Sequence, residues 1–399
     1  THAFTMYFTN VPIKQNGVDL YTVPRPDLAA SGVQTLTIVP TNTLLLFDLD
    51  IALEWDARND GNFLADLEAA IKRASDLLYD VTVGQVALGE VRIHLDKANW
   101  ATADVVIYAS NSIHPRASMG GVVIDYTDDF SGTTRIPNAY MPGQIRMGPL
   151  WDPFGQNQTD LQQDWWRAFA HELSHYLLFL PDNYLGVEDG LLVTTDCKGS
   201  FMTSAYDEER YGAFLTRDAW VGPCLDTVAQ RLLTGRTDWE TITTFLPVVA
   251  PATSNVARNG PSNMPLAVTQ VRIVTETLAT PGAAALTARN FDLRDESGDL
   301  AVLRQAQGYV FHSGPTRPDE FLPPVTGLIA LGSTGSGRDR IMVRGAAAGD
   351  RVCIFDTQHN PPRAGCTVAK GNNPTVQVKP VPGWQPEIVV SPVASTTLL

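Results

Sequence analysis

Two of the seven histidines stand four residues apart with a glutamate after the first, His171-Glu172-Leu173-Ser174-His175. On a helix, residues four apart share a face, so both imidazoles reach a single ion. The glutamate beside the first histidine projects next to that ion. There it can take a proton from a metal-activated water and pass it to a leaving amine. Zinc in such a setting lowers the pKa of the water to about 7 and polarises a scissile carbonyl. Zinc also needs a third protein ligand. Asp182 follows His175 by seven residues, just past Pro181, and is the favoured candidate, because a chain reversing there swings its carboxylate back to the metal. Glu188, Asp189 and Asp196 are the competitors.

These groups need a scaffold. Trp165, Phe169, Leu173, Tyr176 and Leu180 recur at helical spacing and form one apolar stripe, with the two histidines off it. The spacing predicts a helix that begins after Thr159 or Asp160 and ends at Pro181. Upstream, residues 44–55 read as a strand and residues 63–78 as an amphipathic helix. Strands are expected over 86–95, 103–109, 120–125 and 144–150. A crossover helix after the first strand makes the flanking pair parallel. Downstream, short helices are expected over 216–219 and 226–233. Pro247, Pro251, Pro261 and Pro265 mark a linker, and residues 266–399 read as short strands at the spacing of a β-sandwich, beginning at 268–274. The expected organisation is α+β. It comprises a strand-rich extension over 1–43, a domain over 44–245 with a mixed twisted sheet and two main helices, a linker over 246–265 and a β-sandwich-like domain over 266–399.

Composition narrows the function. A net charge of −14 argues against nucleic acid as a partner, because phosphate binding needs a basic surface. No apolar run reaches the roughly 18–20 residues that cross a bilayer; the most apolar stretch, 44–53, is interrupted by Asp48 and Asp50. The four cysteines fall into two local pairs without CxxC spacing, so disulfides Cys197–Cys224 and Cys353–Cys366 are expected, and with them an exported protein. His94 and His114 read as structural. Asp125, Asp128 and Asp129 form an acidic loop for which solvation is favoured and Ca2+ is the alternative.

Around its HExxH the chain resembles the metzincin clan of zinc peptidases, over residues 44–235. The order of upstream elements is like that clan's upper subdomain. The spacing to the third ligand is similar to the peptidase domain of calcium-activated chloride channel regulators, HExxHxxxGxxDEY. His171, Glu172, His175, Asp182 and Tyr184 match, while Phe179 replaces the Gly and Asn183 the Glu. A left-handed residue is costly for Phe, so Pro181 is expected to make the turn. The resemblance implies a methionine-containing turn at Ser200-Phe201-Met202, with Met202 as an apolar floor under the histidines. It implies Tyr206 as an oxyanion stabiliser, and an edge strand of Gly120, Gly121, Val122 and Val123 that takes a protein or peptide substrate by strand addition. The implied activity is that of a zinc-dependent endopeptidase, self-processing included. The resemblance does not reach residues 250–399, where the β-rich C-terminal domain is separately expected to bind protein, glycan or cell surface. The rival expectation is a non-catalytic adhesin or scaffold, which the missing glycine would allow.

Overall fold

A computed structural model of the chain describes residues 18–22, 43–58, 60–109, 113–118, 122–123, 126–127, 135–136, 139–140, 143–151, 160–203, 212–252, 267–275, 289–303, 306–311, 328–331, 340–346, 348–370 and 375–383. In chain order the first elements are β1 (Val18–Thr22), β2 (Thr43–Leu53), α1 (Phe63–Val81), β3 (Val86–His94), β4 (Val105–Ile107) and β5 (Arg116–Ser118). The short strands β6 (Val122–Val123), β7 (Tyr126–Thr127), β8 (Arg135–Ile136) and β9 (Ala139–Tyr140) follow. Next come β10 (Gln144–Met147), α2 (Gln163–Leu178), β11 (Leu185–Glu188), β12 (Leu191–Thr194), α3 (Arg217–Trp220), a π turn over Ala229–Leu233, and α4 (Asp238–Phe245). The remainder is all strand: β13 (Gln270–Val274), β14 (Arg289–Arg294), β15 (Gln307–Phe311), β16 (Leu328–Leu331), β17 (Arg340–Val343), β18 (Arg351–Asp356), β19 (Arg363–Val368), β20 (Thr375–Gln377) and β21 (Lys379–Pro380).

The architecture is α+β. In β2 every second side chain, Leu45, Phe47, Leu49, Ile51 and Leu53, is buried in a core shared with α1 and α2. Strand alternation puts Asp48 and Asp50 on the other face. Each such buried side chain contributes roughly 1.5–3 kcal/mol, which is why the apolar period of this strand fixes its facing. Helix α1 buries Leu67, Ala70, Ile71, Ala74, Leu77 and Leu78, the predicted stripe, and β2 and β3 pair in parallel across it. The main sheet runs β13-β3-β2-β4-β10-β5, with β1 also on β2. Strand β5 is its antiparallel edge, pairing Ala117 with Ile145. C-terminal strands form a three-stranded sheet, β17-β14-β20, and a five-stranded one, β16-β15-β18-β19-β21. Cys197 is bonded to Cys224 and Cys353 to Cys366, as the spacing led one to expect. No helix among the described residues is long and apolar enough to cross a membrane.

Three expectations are corrected. The edge of the main sheet is Arg116–Ser118, not 120–125; Val122 and Val123 pair with Tyr140 and Ala139 in a separate ribbon, and Gly120 and Gly121 lie outside the described residues. Strand β13, expected to open the C-terminal domain, instead joins the main sheet parallel to β3, with Gln270 opposite Glu90 and Val274 opposite His94. The start of the expected linker is also fixed: Leu246 and Val249 are buried, and the Gln85 side chain exchanges two hydrogen bonds with the Ala250 backbone, each 2.8 Å. Within the expected N-terminal extension, residues 1–17 and 23–42 lie outside the described residues.

Candidate metal centre

Helix α2 carries the motif. Its buried side chains Trp165, Phe169, Leu173 and Tyr176 anchor it to the core. Trp165 adds a hydrogen bond from Nε1 to Gly148 O at 2.8 Å, and Tyr176 one from its hydroxyl to Asp104 at 2.6 Å. The helix ends at Leu178, three residues before Pro181, because Phe179 takes the left-handed conformation, φ 61° and ψ 28°. Phe179 itself therefore makes the turn that a glycine would make, and Pro181 does not. A left-handed residue with a Cβ costs roughly 1–2 kcal/mol; a tilted contact of the Phe179 ring with Phe245 of α4, centroids 4.7 Å apart, offsets part of that.

The turn delivers Asp182 to the histidines. His171 Nε2 and His175 Nε2 are 3.1 Å apart. Asp182 Oδ1 is 3.2 Å from the first and 3.1 Å from the second. Tetrahedral zinc with ligands at about 2.0–2.1 Å would space those atoms roughly 3.3 Å apart. The Nδ1 atoms face backbone carbonyls, Phe201 O for His171 at 3.4 Å and Leu180 O for His175. With a metal ion bound, a proton on each Nδ1 would leave both Nε2 lone pairs for the ion, the tautomer that ligation requires; the contacts of Nε2 with Asp182 Oδ1 are hydrogen bonds only when Nε2 carries a proton. The three residues fit, and could hold, a metal ion. Glu188, Asp189 and Asp196 are not members of that cluster.

The charges around this point sort the carboxylates. Burial would push Asp182 up, but hydrogen bonds from His171 and His175 and their charges outweigh it and hold the carboxyl far below the ordinary range. Burial pushes Glu172 up; the two histidines and a hydrogen bond from the Ala117 backbone N–H pull it back only in part. His175 ends above its usual value, because the hydrogen bond and charge of Asp182 and the charge of Glu172 exceed the effect of burial. Tyr184 is raised by burial, by the charge of Asp182 and by the hydrogen bond its hydroxyl donates to Asp182.

Met202 is fully buried, and the turn holding it abuts His171 through Phe201, ring centroids 6.2 Å apart. Tyr206 and the acidic loop residues Asp125, Asp128 and Asp129 lie outside the described residues. Comparison with known proteins gives no match: no family model, no curated protein and no solved structure is significantly similar to the chain. The case for a metal site thus stands on the geometry of His171, His175 and Asp182, which could hold an ion. Two neighbouring groups were not revealed by the sequence: the Ala117 N–H, hydrogen-bonded to Glu172, and the buried carboxyl of Asp238 in α4, hydrogen-bonded to Asn183 beside Asp182. The pattern Thr237-x-x-Glu240 could have revealed α4, since it forms a capping box with both hydrogen bonds present.

Proposed function

We propose that the chain is an exported, metzincin-like zinc endopeptidase. The observation that carries this reading is the triangle of His171, His175 and Asp182, at close to tetrahedral spacing, beside a buried glutamate on the same helix. Zinc, when bound there, supplies an acidified water and an electrophile for the scissile carbonyl. Glu172 takes the proton of the attacking water and returns it to the departing amine, a task suited to a carboxylate whose pKa burial has raised. The Ala117 N–H holds that carboxylate in place. Since Ala117 sits on the edge strand β5, an extended peptide adding to that edge would lie next to Glu172. The two disulfides fit an oxidising compartment.

The scaffold alternative drew on the missing glycine. Phe179 adopts the backbone conformation that the glycine would, so this substitution leaves the ligand turn intact.

The test is metal analysis of the purified protein together with digestion of a peptide library. One zinc per chain and chelator-sensitive cleavage are expected. Glu172→Gln should keep the zinc and lower kcat/KM by about 10²–10⁴-fold. Undiminished cleavage by that variant, or a protein that takes up no zinc, overturns the proposal. Cleavage confined to the protein's own chain would make it a self-processing enzyme.

A further inference from the structure

A buried polar knot lies next to the third ligand. Asn183 follows Asp182 directly and is 0% exposed, while Ser200 is 2% and Asp238 1% exposed. The Asn183 side-chain amide donates to Ser200 Oγ and to Asp238 Oδ1, each at 2.9 Å. Ser200 Oγ donates to Asp238 Oδ2 at 3.5 Å and accepts the Met202 N–H at 3.1 Å. Asp238 also accepts the Leu215 N–H. The backbone closes the knot: Asn183 N–H donates to Met202 O at 3.0 Å, and the Thr203 hydroxyl reaches Asn183 O at 3.1 Å.

The knot therefore fixes two objects that the metal centre needs. One is the backbone on the C-terminal side of Asp182. The other is the 200–203 turn, whose Phe201 carbonyl faces His171 Nδ1. Helix α4, which supplies Asp238, is itself secured by its capping box and by the Trp239 Nε1 hydrogen bond to Phe214 O at 2.6 Å. Burying a carboxyl is unfavourable, and replacing buried polar groups by well-packed apolar ones is often neutral or stabilising. A position whose only role was to fill space would be better served by an apolar side chain.

We propose that Asp238 is a positioning residue of the metal centre, acting through Asn183 and Ser200 to place Asp182 and to orient His171. The inference rests on the His171, His175 and Asp182 trio being a metal site. Partners that orient metal ligands are typically worth 10–100-fold in metal affinity. Removing the knot should weaken metal binding even in protein that remains folded.

The experiment is Zn2+ titration of the full chain against a colorimetric chelator, with the thermal unfolding of the chelated protein recorded in parallel. Asp238→Ala should weaken zinc binding 10–100-fold. Ser200→Ala removes one hydroxyl, disturbs volume least and keeps the test decisive where the first variant does not fold; it should weaken binding about tenfold. Asp238→Asn keeps the shape and one acceptor and should recover most of the affinity. If folded Ser200→Ala binds zinc within twofold of wild type, or if Asp238→Ala lowers only the melting temperature of the chelated protein, Asp238 is merely structural and the proposal falls. A wild-type chain that binds no zinc, or a His175→Ala chain that binds it as well as wild type, would instead overturn the metal reading beneath it.

Discussion

Three carboxyls near the centre share burial yet are driven apart by their neighbours. Asp182 is held ionised by two imidazoles, and Glu172 is raised toward the range useful for moving protons. Asp238, the most enclosed, is pushed up to about 7 by burial, against hydrogen bonds from Asn183, Leu215 and Ser200 that lower it. Stability should therefore depend on pH. The unfolded chain releases the Asp238 proton near pH 3.8, whereas the folded chain keeps it until about pH 7. Between those values the folded state binds more protons, so this residue makes stability fall as pH rises, with little further change above pH 7. Each tenfold difference in proton affinity is worth about 1.4 kcal/mol, so the effect is of the order of a few kcal/mol. Asn cannot titrate, so the difference in urea stability between chelated wild type and chelated Asp238→Asn should move against wild type from pH 4 to pH 7. A difference that is flat with pH would sink this assignment. The sequence exposed Glu172 and Asp182 because each sits at a fixed offset from the histidines. Asp238 carried no such mark, since an aspartate at the start of a helix is ordinarily a solvated partner of the helix dipole.

At the scale of the element, the decisive feature is how α2 stops. Phe179 bears the strain of a positive φ and gains a ring contact with Phe245. Substitution separates the two. Phe179→Ala loses the ring and keeps the strain, while Phe179→Gly loses the ring and relieves it. The Gly variant should therefore be the more stable of the two by about 1 kcal/mol, measured by chemical denaturation. An Ala variant as stable as the Gly variant would show that the left-handed turn costs nothing here. Strongly periodic elements were legible: the apolar spacing of 63–78 and the run 86–95 became α1 and β3 with ends shifted by at most three residues. The edge strand was not. Arg116-Ala117-Ser118 has three residues and one apolar side chain, too short to show a period, while the valines at 122 and 123 look more strand-like. Only the pairing of Ala117 with Ile145 identifies the true edge.

For the whole molecule, the sequence pointed to two modules joined by a proline-rich linker, and the packing ties them together. Strand β13 crosses back into the main sheet, a long-range pairing that local composition does not encode. Arg344, just past the end of β17, is 1% exposed and enters the first module between Trp55 and Phe63, 5.6 and 5.4 Å from their ring centroids. Its guanidinium bonds Asp60 at 3.1 Å and both carboxylate oxygens of Asp160 at 2.5 Å. Gly345 beside it has φ +70°, and a Cβ there would meet Trp55 Cβ at 2.6 Å, so the backbone itself is pressed against the first module. Asp160 lies two residues before Gln162, the N-cap of α2. Burial raises the pKa of Asp160 and the Arg344 charge opposes that, so removing the arginine leaves a carboxylate partly desolvated without its main counter-charge. Arg344→Met, which keeps much of the volume, should cost about 3–5 kcal/mol in urea unfolding, the range for breaking a buried pair. Arg344→Met combined with Asp160→Asn should recover part of that loss, because one of the two carboxylates that lose the arginine no longer carries a charge. The wild type should unfold in one transition, since the sheet and the arginine bind the modules into a single unit, and both variants should do the same because the pairing of β13 with β3 remains. A loss below about 1 kcal/mol would reduce Arg344 to an ordinary surface pair. Two separate transitions in the wild type would return the C-terminal strands to an independent domain.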